Sequence, residues 1–277
     1  MRTTSNPVFR NLPKQEGGYA SFGTASAGAA QATQFGQQPQ FTQAGPDQRS
    51  MTIDDVVTKT GITLGVLAIS AIVSYYLASN DTSLAVPLVA GGGIIGFVLA
   101  MIGTLGRKMD KPPLVLAYAV AEGVFLGALS LLFTGVEFGG VGGAGLIGQA
   151  VLGTFGVFFG MLVVYKTGAI RVTPRFTRML VGAMIGILVL VVGNLVASFF
   201  TPGGFGLRDG GTLAIIFSLV CIAVAAFSFL LDFDAADQLI RAQAPEKAAW
   251  GVAFGLTITL VWLYIEILRL LSYFQND

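Results

Sequence analysis

Between Thr60 and Leu271 the chain carries seven apolar runs, each close to the roughly 20 residues a helix needs to cross about 30 Å of hydrocarbon. They cover approximately Gly61 to Ala78, Leu84 to Leu105, Leu114 to Thr134, Ala144 to Tyr165, Met179 to Phe200, Leu213 to Leu231 and Ala248 to Leu271. Asn, Asp, Pro, Gly and basic residues punctuate the connectors, as loops require. A backbone in lipid must satisfy its own hydrogen bonds, so runs of this length predict helices, and the fold class is an all-α polytopic membrane protein. Charge agrees: only 11% of the 277 residues are charged, against about a quarter in a soluble domain.

Residues 1–50 differ in kind. They are rich in Gln, Gly, Ala, Ser and Pro with scattered Phe, too little apolar surface to offset chain entropy. The expected organisation is therefore a disordered tail over 1–50 and a seven-helix transmembrane domain over 51–277. No apolar run follows the early positive residues, so the tail does not read as a secretory signal.

Basic residues set the expected orientation. The connectors after the second, fourth and sixth runs hold Arg107, Lys108, Lys111, Lys166, Arg171, Arg175, Arg178, Arg241 and Lys247, whereas those after the first, third and fifth hold only Arg208. This bias places the even-numbered connectors and the N-terminus in the cytoplasm, and the C-terminus outside, in a multi-pass protein of the cell membrane.

The residue inventory excludes several chemistries. There is no histidine, which removes imidazole metal sites, His-based triads and histidine pH switches. The single cysteine, Cys221, cannot form a disulfide within the chain or a thiolate cluster, and reads as a small core residue. A net charge of +1 gives no global basic field for nucleic acid. Neither a catalytic residue nor a resident cofactor is indicated, and acid–base work falls to carboxylates.

Ionisable groups within membrane segments are costly, and mark functional positions by default. Glu122 lies midway along the third run, near the bilayer midplane. Asp232, Asp234 and Asp237 gather where the sixth run ends; on a helix, 234 and 237 share a side and 232 points elsewhere. Arg107 and Lys108 are candidate salt-bridge partners for them. Glu266 falls in the outer half of the seventh run with Arg269 at i+3, the spacing of an intrahelical ion pair. Asn194 in the fifth run suits an interhelical hydrogen bond. Glycines at four-residue spacing, Gly123 with Gly127 and Gly182 with Gly186, and the run Gly91-Gly92-Gly93 with Gly96, suit close helix packing, with a small-residue conduction path as the alternative.

Three stretches resemble the Bax inhibitor-1-like family: Ala121-Glu122-Gly123-Val124-Phe125-Leu126-Gly127, Leu231-Asp232-Phe233-Asp234, and Leu263-Tyr264-Ile265-Glu266-Ile267-Leu268-Arg269-Leu270-Leu271. Asn6-Pro7-Val8-Phe9 is similar to the start of a bacterial branch. The resemblance implies six helices around a central seventh and a pH-sensitive calcium leak through the bundle. In that family an aspartate near the inner end of helix six pairs with one in helix seven as the pH sensor. Asp234 matches the first. For the second, the Leu-Tyr-Ile-Glu stretch points to Glu266, whereas spacing from the final Leu-Leu stretch points to Thr259, which cannot ionise.

The functional expectation is a cation leak, calcium above all, with Asp234, Glu122, Glu266, Asp232 and Asp237 as candidate pathway or sensor groups. The alternative is a non-conducting regulatory protein that binds other membrane proteins such as proteases or stress factors. An intramembrane enzyme is a poor fit, since Asp234 and Glu266 are expected at opposite depths.

Overall fold

The computed structural model describes residues 49–134 and 143–275. Apart from Arg49 and Ser50, the expected tail lies outside the described residues, as does its Asn6-Pro7-Val8-Phe9 motif. Within the described residues the elements are α1 (Ile53–Asn80), a 3-10 turn (Thr82–Leu84), α2 (Ala85–Leu105), α3 (Pro112–Thr134), α4 (Gly143–Thr167), α5 (Pro174–Ser198), α6 (Thr212–Arg241) and α7 (Ala248–Gln275). All seven α-helices are long and apolar enough to span a membrane, so the chain is a multi-pass membrane protein.

Several helices outrun the apolar pattern that announced them. The first apolar run begins at Gly61, yet α1 starts at Ile53 and takes in the charged Asp54, Asp55 and Lys59 before it. Thr52 accepts from the Asp55 backbone N–H while the Asp55 carboxylate takes the Thr52 N–H, a reciprocal cap. The two acids also lie in the first turn, where the helix dipole favours them. At α5, Thr173 caps the helix and Pro174 fills a first-turn position, where its missing N–H costs nothing. Most consequential is α6, which continues through the aspartate cluster to Arg241. The expectation of a helix end at those acids is therefore corrected. They sit within the helix, and the residue facing the negative end of its dipole is Arg241.

Helix α7 is the most thoroughly buried of the seven. It packs against α1, α3, α4 and α6. Helix α2 reaches it at Phe254, whose ring lies beside Gly103, and Trp262 packs on the cluster that α5 and α6 form. The central seventh helix is thus observed. Phe229, Phe254, Leu263 and Leu268 are essentially without exposed surface, so the inside of the bundle is a close-packed apolar core. Lipid-facing side chains such as Ile72, Phe97 and Leu188 stay exposed.

Glycine decides which helices come closest. A Cβ on Gly123 or Gly127 of α3 would collide with the backbone of α1 at Leu67 and Ala71, and one on Gly92 of α2 would strike the α3 backbone at Phe125. Between α1 and α3 the Ser74 hydroxyl donates to the Val124 carbonyl at 2.6 Å. By contrast Gly182 and Gly186 of α5 meet nothing among the described residues, so the packing role expected for that pair is not realised among them. Gly127→Ala should therefore destabilise the protein by about 1–3 kcal/mol through overpacking. Gly186→Ala should be neutral or mildly stabilising, since alanine is the better helix former. Melting temperatures of the two variants in the same detergent check the contrast.

Candidate functional site

The α6–α7 interface carries buried ionisable groups of both helices. Near the face of the bundle that holds the α2–α3, α4–α5 and α6–α7 connectors, here the basic face, Asp232 of α6 turns towards α7. The Thr259 hydroxyl donates to its Oδ2 at 2.7 Å. Gly255, one turn away on α7, leaves room for the carboxylate, whose other oxygen would lie 3.7 Å from a Cβ there. Phe233 beside it is buried among the rings of Phe229, Phe158 and Tyr165.

The neighbouring acids point elsewhere. Asp234 accepts a hydrogen bond from Gln238, one turn along the same helix, at 2.6 Å. Asp237 pairs with Arg241 at 2.8 Å and lies 3.5 Å from the Tyr165 hydroxyl of α4. Among the described residues neither Arg107 nor Lys108 makes an ion pair, so the expected latch between those bases and Asp234 is not formed. The register is corrected too: the helix-six carboxylate that meets Thr259 is Asp232, two residues before the one that sequence matching selected. Two residues are about 200° around a helix, which puts them on opposite sides.

Glu122 projects from α3 towards α2, its carboxylate lying against Gly96, with the Tyr118 hydroxyl as hydrogen-bond partner. It is separate from the Asp232–Thr259 pair. Glu266 and Arg269 form the expected ion pair within α7, 2.7 Å apart, with both side chains buried. Asn194 is also buried, but its Oδ1 accepts from the Phe205 backbone N–H at 2.9 Å. It holds the α5–α6 loop, and the interhelical hydrogen bond expected from the sequence is replaced by this contact.

A second polar assembly, unforeseen in the sequence, closes the basic face. Ser50 and Pro245 form an isolated antiparallel bridge, with the Met51 N–H donating to the Ala244 carbonyl at 2.8 Å. Around it Arg49 contacts Asp55 and Glu246, while Lys59 donates to the Glu246 carbonyl at 2.8 Å and to its carboxylate at 3.1 Å. The Lys59 ammonium also lies 5.8 Å from the centroid of the Trp250 ring. The pairs with Glu246 could not be read from the sequence, because they join residues nearly 200 positions apart. The Lys59 and Arg49 hydrogen bonds hold the Glu246 carboxyl below its ordinary range. A lowered folded-state value means that this staple contributes fully above the unfolded value, about 4.3, and fades as pH falls through the lower one. Glu246→Gln should accordingly melt below the wild type at neutral pH, and the two curves should converge below about pH 4.

A cavity of about 480 Å³ opens between α1, α3, α4 and α7. Its walls are aliphatic and aromatic, with hydroxyls from Tyr75, Ser130, Thr154 and Tyr264 and no carboxylate. Such a lining offers a cation few of the oxygen ligands that would replace its hydration shell. Nor do three or more acidic or sulfur ligands gather anywhere among the described residues.

The model of the Bax inhibitor 1 like family matches residues 6–276. The chain belongs to that family. An uncharacterised protein of Chlamydia muridarum (strain MoPn / Nigg) is similar, 26% identical over 204 residues, which cover 73% of this chain and 69% of the relative. Membership agrees with the central α7 and with the three stretches in α3, α6 and α7 that first suggested it. Thr259, one of the two helix-seven positions to which the resemblance pointed, has Asp232 as its partner across the interface.

Proposed function

We propose that this family member is a pH-sensitive cation leak, with calcium as its cargo and the α6–α7 interface as its path. The carrying observation is the Asp232–Thr259 contact, which joins a carboxylate and a hydroxyl against the central helix. Carboxylate and hydroxyl oxygens are the ligands a hard cation takes. A leak needs a site that an ion enters and leaves, and two side chains supply far fewer than the six to eight oxygens of a calcium storage site. Asp232 is the principal proton-sensitive group in this reading, with Thr259 standing where a second carboxylate would otherwise be. The basic face is cytoplasmic by the positive-inside rule.

A second reading, a non-conducting protein that docks other membrane proteins, is supported by α5. That helix packs principally on α6 and leaves Gly182 and Gly186 uncovered. Calcium entry into liposomes containing only the purified chain separates the two. Entry that rises with protein content and changes with pH supports the leak; folded protein that admits no calcium at any pH supports docking.

A further inference from the structure

The cavity bounded by α1, α3, α4 and α7 lies in the half of the bundle away from the basic face, and one of its sides is open. Helices α1 and α4 pack against α3 and α7 but scarcely against each other, so the gap between them leads from the cavity into the bilayer. Ile72 of α1 and Phe155 of α4 line the cavity while remaining exposed. Its floor is α7, where Leu260, Val261 and Tyr264 are lining residues although the bundle buries them.

Size and polarity select the occupant. From Leu64 to Tyr75, both lining residues, α1 rises about 16 Å at 1.5 Å per residue, close to half of a hydrocarbon core about 30 Å thick. That is the depth of one leaflet. A volume of about 480 Å³ falls in the range of pockets that enclose a small ligand. No charged side chain lines it, so an ionised group such as a fatty-acid carboxylate would enter unpaired. An ester-linked chain carries no such charge. Three of the four lining hydroxyls are already engaged: Ser130 with Tyr264 at 2.8 Å, and Thr154 with the Ala150 carbonyl at 2.8 Å. The Tyr75 hydroxyl has no hydrogen-bond partner among the described residues. It stands five residues from the end of α1, or about 8 Å along the axis, near the level where tyrosine rings meet lipid headgroups.

We propose that this cavity binds one acyl chain of a membrane phospholipid, which enters sideways between α1 and α4, lies on α7 and has its ester carbonyl hydrogen-bonded by Tyr75. The headgroup stays outside, at the interface. The site shares no residue with the Asp232–Thr259 contact and does not depend on the leak.

The test uses the full chain in liposomes of phosphatidylcholine and phosphatidylglycerol, with a trace of phosphatidylcholine that carries a diazirine at the end of one acyl chain. Light turns the diazirine into a carbene that inserts into what it touches, and mass spectrometry of peptides locates the adducts. They are expected on Leu260 and Val261, and not on Leu263 or Phe254, which lie on the same helix without exposed surface and away from the cavity. The exposed Leu188 of α5 reports ordinary contact with the bilayer. Adducts on Leu188 with none on α7 would overturn the proposal. Ala68→Trp fills the cavity from α1 and Val151→Trp fills it from α4, so each should reduce the α7 adducts roughly tenfold and leave Leu188 unchanged. Either variant, folded and labelled on α7 as strongly as the wild type, would also overturn it. Tyr75→Phe should lower the α7 adducts roughly fivefold through one lost hydrogen bond, and unchanged labelling would overturn the ester contact.

Discussion

Liposomes carrying Asp232→Asn are expected to lose most of the pH dependence of calcium entry, whereas those carrying Asp234→Asn keep the wild-type profile. The asparagine is nearly the shape of the aspartate and can still accept from the Thr259 hydroxyl, so the contact that binds α6 to α7 survives. What it removes is the ability to gain and lose a proton. Asp234 is a matched control, because it lies on the same helix only two residues away, but bonds Gln238 along its own helix and not α7. Thr259→Val should act in the same direction more weakly, by withdrawing the hydroxyl that steadies the carboxylate. Entry measured at several pH values for the four chains gives the outcome. An unchanged profile for Asp232→Asn, in protein that elutes as a single folded species, would remove it from the mechanism.

Arg269→Met should be the most destabilising of the substitutions considered. It takes one partner from a buried ion pair and leaves the Glu266 carboxylate with only the more distant Arg208 as a cationic neighbour, a loss of about 3–5 kcal/mol. Joining it to Glu266→Leu should recover most of that loss, since two apolar side chains of similar volume avoid the desolvation of both charges. The double-mutant cycle, read from unfolding in a constant detergent and lipid mixture, yields the coupling between the two residues.

The number of spans was legible because hydrocarbon thickness imposes a length on every crossing, and no local detail alters it. That α3 would pack closely was legible for a related reason, since Gly123 and Gly127 lie on one stripe and a missing Cβ admits a neighbouring backbone, but that the neighbour is α1 was not. The same spacing misled at Gly182 and Gly186, since four-residue spacing states what a helix surface can receive and not which neighbour arrives. Helix ends were less legible where charge continues a helix. The sixth apolar run stops at Leu231, but α6 extends to Arg241 because backbone hydrogen bonding does not depend on hydropathy. The choice between Asp232 and Asp234 rests on rotation about the helix axis, which an apolar run rich on all sides leaves undetermined. The ion pairs that join Arg49 and Lys59 to Glu246 depend on two distant segments arriving together, and charge alone did not announce them.

The backbone contact between α1 and α3 also has a mechanical meaning. Side chains at an interface can change rotamer to absorb a sliding motion, but where a glycine sits on a neighbour's main chain no such slack exists, and packed interfaces shift between discrete arrangements instead of deforming smoothly. Gly123 and Gly127 against Leu67 and Ala71, with Gly92 against Phe125, therefore weld α1, α2 and α3 into a stator. Helix α5, fastened principally to α6, has no glycine seated on a neighbour's backbone among the described residues, and so is the helix least locked in place by its neighbours.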